Sequence, residues 1–152
     1  MRDRDFPDPP MTKPAQKPLT KVEFEALSEF RFQLRRFERF SEDAVQSFGI
    51  TPLQYLLLLH VKGFPGRTWA TVGELAQRLQ AKPHGVVALV TRCEEHRFVE
   101  RRPSPTDRRQ VQIHLLPEGE RVLGHLASLH RTELQSLGSV FTVPTINAQE
   151  RT

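Results

Sequence analysis

Residues 71–115, TVGELAQRLQAKPHGVVALVTRCEEHRFVERRPSPTDRRQVQIHL, change hydrophobic period partway along, and that change decides the fold. Thr71-Val72-Gly73-Glu74 reads as a capping box, in which a hydroxyl takes an amide of the first turn and a carboxylate reaches back to the cap. Val72, Leu75, Ala76 and Leu79 then share one helical face, and the helix ends near Gln80. Pro83 is pre-organised for a first helical position. The helix it opens, running to about residue 96, places Val86, Leu89, Val90 and Cys93 at i, i+3, i+4 and i+7. Two short amphipathic helices joined by so tight a turn form a helix-turn-helix, and the small Ala76 lets them cross closely. The period then drops to two. Residues 98–102 and 111–115 read as strands, and residues 103–110 between them are turn formers with arginine. A helix-turn-helix running directly into a basic hairpin is a winged helix.

The flanks are helical. Upstream, a helix begins near Leu19 or Thr20, with Leu27, Phe30, Leu34, Phe37, Ala44 and Phe48 in one apolar stripe. Phe24, Phe32 and Phe40 lie off it. A helix with phenylalanines on several sides needs more than one apolar neighbour, either a second subunit or the C-terminal helix. Gly49 ends this helix, and Thr51-Pro52-Leu53-Gln54 caps the next, whose residues 55–61 are apolar almost all round. Gly63-Phe64-Pro65-Gly66 stops it, and Trp69 falls in a short connector. Downstream, Pro117 opens a last helix with Val122, Leu123, Leu126, Leu129 and Leu137 inward, ending near Gly138. The chain therefore divides into a disordered N-terminal tail at 1–18, one domain at 19–138, and a frayed C-terminal tail at 139–152.

The 152 residues suit one domain. A net charge of +4 is compatible with an anionic partner but does not require one. Cys93 is the single cysteine, so no intramolecular disulfide forms, as expected in a reducing compartment. No run approaches the roughly 20 apolar residues of a membrane span, and the first residues lack the apolar core of a secretory signal. A cytoplasmic location follows. Phosphate loops, paired catalytic carboxylates and nucleophile elbows are missing, so the expectation is no enzyme, no cofactor and no metal. His125 and His130, five apart, do not stack on one helical face.

The segments 71–76 (TVGELA), 99–103 (VERRP), 107–109 (DRR) and 116–119 (LPEG) stand in the order and spacing of the MarR family, which the chain resembles from about Leu19 to Gly138. The resemblance implies a mainly α fold with a small β-hairpin wing, a winged helix-turn-helix with N- and C-terminal dimerisation helices. It also implies a sequence-specific DNA-binding transcriptional regulator, acting as a homodimer on an inverted-repeat operator with half-sites about 10 base pairs apart. The helix from Pro83 would enter the major groove, offering Lys82, His84, Gly85, Val87, Ala88, Thr91 and Arg92. Val87 and Ala88 suit thymine methyls, His84 suits a base edge or phosphate, and Gly85 allows close backbone approach. Readout by DNA shape, with few base contacts, is the other possibility. The wing would bring Arg108 or Arg109 to a narrow, electronegative minor groove, with Asp107 orienting an arginine.

The resemblance further implies a small-molecule effector, often an aromatic acid, between the dimerisation helices and the DNA-binding lobe. Phe40, Tyr55, His60 and Trp69 are the candidate lining, with a place in the core as the equal alternative, and Phe37 is assigned to the core. Cys93, on the packed face of its helix, reads as a structural thiol rather than an oxidant sensor. The alternative function is a winged-helix protein-docking module without specific DNA readout; a basic wing beside an exposed helix argues for DNA.

Overall fold

The structure, a computed structural model, describes residues 17–138 and 142–146. Residues 1–16 and most of 139–152, where the two tails were expected, lie outside the described residues. Eight elements follow in order: α1 (Lys21–Ser47), α2 (Pro52–Lys62), β1 (Trp69–Thr71), α3 (Val72–Leu79), α4 (Pro83–Glu95), β2 (Val99–Pro103), β3 (Val111–Leu115) and α5 (Pro117–Leu137).

Local chemistry starts the helices. Complete capping boxes open α1, α2 and α3, pairing Thr20 with Glu23, Thr51 with Gln54 and Thr71 with Glu74. Each threonine cap is worth about 1 kcal/mol over alanine. Proline at the first turn opens α2, α4 and α5.

The hairpin β2–β3 is antiparallel, with Arg101 opposite Ile113 and Pro103 opposite Val111. The connector containing Trp69 is in fact a third strand. β1 pairs with the other edge of β3, Ala70 opposite Ile113, giving the sheet order β1-β3-β2. Three residues are too few for a readable alternation, so only pairing with β3 makes them a strand.

The core lies where α2 meets α3, α4, α5 and the sheet. Leu57, Leu58, Val61, Leu75, Val90, Ile113 and Leu126 are fully buried there. Each such aliphatic side chain contributes about 1.5–3 kcal/mol. The predicted stripe of α1 is only half-buried, and Phe24 and Phe32 are 57% and 56% exposed. On α5 one expectation is overturned: Leu129 faces solvent, and His130 takes the buried place. The inward row steps by four at that level, from Leu126 to His130, so the residue at i+3 turns outward.

Candidate nucleic-acid interface

The helix-turn-helix is held from its base. Thr71 Oγ1 and the Thr71 backbone N–H both donate to Glu74 Oε1, at 2.9 and 3.2 Å. Arg67 takes the other Glu74 oxygen while its guanidinium lies between the rings of Phe64 (4.2 Å) and Trp69 (3.8 Å). Helix α3 turns off at Gln80 in the left-handed region (φ 51°), and three residues later α4 begins.

In α4 the division of faces follows the sequence reading. Val86, Leu89, Val90 and Cys93 are buried. Lys82, His84, Gly85, Val87, Ala88, Thr91 and Arg92 are all exposed. A Cβ at Gly85 would meet nothing within 4 Å, so the backbone there is open to an approaching surface. The N-cap residue Lys82 makes no side-chain cap hydrogen bond. Pro83 carries no N–H, and the Gly85 and Val86 amides donate to the Lys82 carbonyl at 3.0 and 3.1 Å. Thr91 is exposed but its hydroxyl is engaged: it donates to the Val87 carbonyl at 3.1 Å and accepts from Arg101 Nη2 at 3.1 Å.

The wing tip is an ordered turn. Ser104 is buried, which sequence reasoning missed, and its hydroxyl accepts from the backbone N–H groups of Thr106 (3.3 Å) and Asp107 (3.2 Å). Its own amide donates to the Gln110 carbonyl at 3.1 Å, closing the loop. Asp107 Oδ1 accepts from the Arg109 backbone N–H at 2.9 Å, so the carboxylate sets the Arg109 main chain rather than its guanidinium. Arg108 and Arg109 are exposed, and neither has an ion-pair partner among the described residues. The two arginines at the wing's base differ from them: Arg101 pairs with Glu94 and Arg102 with Glu100.

The four residues suggested as an effector lining do not come together. Tyr55 lines a cavity of about 520 Å³ between α1, α2 and α5, with Phe37, Ser41, Leu59, His130, Arg131 and Gln135 among its other walls. Phe37, assigned to the core, is thus half-buried at the cavity edge. Phe40 stands edge-on behind the His130 ring, 5.7 Å between centroids. Trp69 lies on the sheet, stacked on His114, and His60 is not in the lining. His130 joins the lining although nothing in its sequence context singles it out. Its ring stacks on Tyr55 at 4.7 Å, its Nδ1–H donates to the Leu126 carbonyl at 2.6 Å, and Nε2 sits 2.7 Å from the Ser41 hydroxyl. A lone histidine amid apolar spacing looks the same whether it faces a core or a cavity.

Burial raises the Tyr55 phenol above its usual range and pushes the Cys93 thiol up to about 12. His60 is lowered by burial and by the charge of Arg78, and His114 by burial and then Arg102. Among the described residues no group of three or more metal-binding side chains converges, and no helix is long and apolar enough to cross a membrane.

Comparison with known proteins bears on the same segments. The model of the MarR family matches residues 48–110, from the end of α1 through the wing tip. The chain is 30% identical over 106 residues to the uncharacterized HTH-type transcriptional regulator YsmB of Bacillus subtilis, covering 66% of each chain. It is 29% identical over 120 residues to a putative transcriptional regulatory protein for the hcr operon of Thauera aromatica, covering 75% of this chain and 70% of that one. The alignments thus span about two thirds of these relatives' length. AbsC, a MarR family transcriptional regulator from Streptomyces coelicolor, superposes with a TM-score of 0.70 at 22% identity, over 84% of this chain and 86% of its own. A MepR mutant from S. aureus bound to an oligodeoxyribonucleotide superposes at 0.60 with 21% identity, over 76% and 82%. At these identities the structural likeness establishes the shared fold.

Proposed function

The chain belongs to the MarR family of winged-helix transcriptional regulators, and from that premise we propose that it works in the cytoplasm as a homodimer on an inverted-repeat DNA operator. The observation that carries this reading is the set of exposed, unpaired cations on α4 and the wing tip. Lys82, Arg92, Arg108 and Arg109 project from the exposed face of α4 and the wing tip, without carboxylate partners among the described residues. Such charges fit a polyanion with a wide groove for a helix and a narrow one for an arginine. The apolar side chains of α1 left in solvent, Val22, Phe24 and Phe32, support a second copy as the covering surface.

The cavity between α1, α2 and α5 is the proposed effector site. It is mainly apolar, with Ser41, Tyr55, His130, Arg131 and Gln135 as polar groups, which suits an amphipathic anion. A ligand there would regulate DNA binding only if it favoured one spacing of the two lobes, and DNA would then weaken the ligand by the same factor.

The test is Arg108→Ala with Arg109→Ala in the full chain. Fold and dimer should persist, since exposed substitutions usually shift stability within about 0.5 kcal/mol. DNA affinity should fall, and the slope of log affinity against log salt should become shallower by about 1 for each arginine lost per bound subunit. Preference for A·T-rich flanks should fall with it. A folded double variant with unchanged affinity and salt slope would sink the DNA reading.

A further inference from the structure

Arg101 stands on β2, yet its side chain runs back over the exposed face of α4. Its Nη2 donates to the Val87 carbonyl and to Thr91 Oγ1, each at 3.1 Å, and its Nη1 is paired with Glu94. Residues 87, 91 and 94 lie at i, i+4 and i+7, one line along the helix. One guanidinium therefore spans two turns of α4 from an anchor in the sheet. The same hairpin carries Arg108 and Arg109 at its far end.

Resting on the DNA-binding reading above, we propose that Arg101 is a positioning residue. It latches α4 to the wing, so that contacts from the helix face and from the wing arginines are made together in adjacent grooves. Two further points follow from the geometry. Thr91 spends its hydroxyl proton on the Val87 carbonyl and one lone pair of its oxygen on Arg101, so the hydroxyl serves the latch and has no proton left for a base. Arg101 is itself a poor phosphate ligand here, because the paired Glu94 carboxylate offsets its charge. Its side chain is 31% exposed, so it could turn to a phosphate if Glu94 let go. That makes the two roles separable by experiment.

The assay uses the full chain and a duplex selected from a random-sequence pool by the unmutated protein. Arg101→Ala should lower affinity for that duplex about tenfold while changing the salt slope by well under 1, because the wing arginines keep their charge beside the DNA and lose only their fit in the groove. In a double-mutant cycle, removing Arg108 should cost less in the Arg101→Ala background, because an unlatched wing is already misplaced. Glu94→Gln should also weaken binding, and Thr91→Val should reproduce part of the loss while Thr91→Ser, which keeps the hydroxyl, restores it. A phosphate role predicts the opposite pattern: a slope shallower by about 1 per subunit, additive costs, and tighter binding in Glu94→Gln. That pattern, or wild-type affinity in all four variants, overturns the latch. Should Arg101→Ala fail to fold, the Glu94 and Thr91 variants decide by the same signs. If the unmutated chain selects no duplex, the DNA reading falls with the latch. If it selects one and the variants behave as a phosphate ligand's would, only the latch falls.

Discussion

Gly119→Ala sets helix propensity against packing at one position. Propensity alone favours alanine in a helix by up to about 1 kcal/mol. Gly119, however, sits in the first turn of α5 against the backbone where β2 begins, and an added Cβ would stand 2.1 Å from the Phe98 carbonyl oxygen and 2.9 Å from its carbon. The obstacle is main chain, so no rotamer change relieves it. The same carbonyl accepts from the Leu116 backbone N–H at 2.8 Å, which ties the start of α5 to the base of the wing. Relieving the clash from 2.1 Å needs a main-chain shift of more than about 1 Å, an overpacking cost of about 1–3 kcal/mol. Straining the Leu116–Phe98 hydrogen bond adds about 1–3 kcal/mol if its groups lose their partner. After the propensity gain the net loss is about 1–5 kcal/mol, a fall in melting temperature of roughly 4–20 °C at about 4 °C per kcal/mol. Gly124→Ala is the control, since it lies in the same helix, is exposed, and a Cβ there meets nothing within 4 Å. It should raise stability by up to about 1 kcal/mol. Thermal and urea unfolding of the three proteins decides. A Gly119→Ala variant as stable as the unmutated chain would refute the argument.

Other expectations are simpler. The Cys93 thiol, pushed to about 12 by burial, should resist alkylation at neutral pH in the native protein and react only on unfolding; prompt labelling of the folded chain would contradict its structural role. His60 and His114 are lowered from 6.5, so the unfolded chain takes their protons first. Their contribution to stability is complete above that value and declines as pH falls below it, so melting temperature should drop between about pH 7 and pH 5, less so in a His60→Gln, His114→Gln variant. Sedimentation at micromolar concentration should show a dimer, with Phe24→Ser and Phe32→Ser shifting it toward monomer; a monomeric unmutated chain that still binds DNA tightly would remove the proposed assembly.

Whatever depends on near neighbours along the chain is legible in the order of residues alone. Capping boxes, prolines and a 3.6-residue period place α2 to α5 and divide α4 into Val86, Leu89, Val90 and Cys93 inside and His84, Val87, Thr91 and Arg92 outside. The change to period two announces the wing, because alternation is a local property of extended chain. Tertiary structure decided the rest. Trp69 to Thr71 become a strand only because β3 offers its edge, and His130 rather than Leu129 turns inward because α1 and α2 supply Ser41 and Tyr55 to receive it. The cavity gathers Tyr55 with residues of α1 and α5, leaving His60 and Trp69 elsewhere, since lining depends on how helices cross. Arg101 finds Val87, Thr91 and Glu94 across a helix-to-strand reversal that no periodicity encodes. Gly119 is required by a carbonyl oxygen at the start of β2, a contact that exists only once α5 has docked on the sheet.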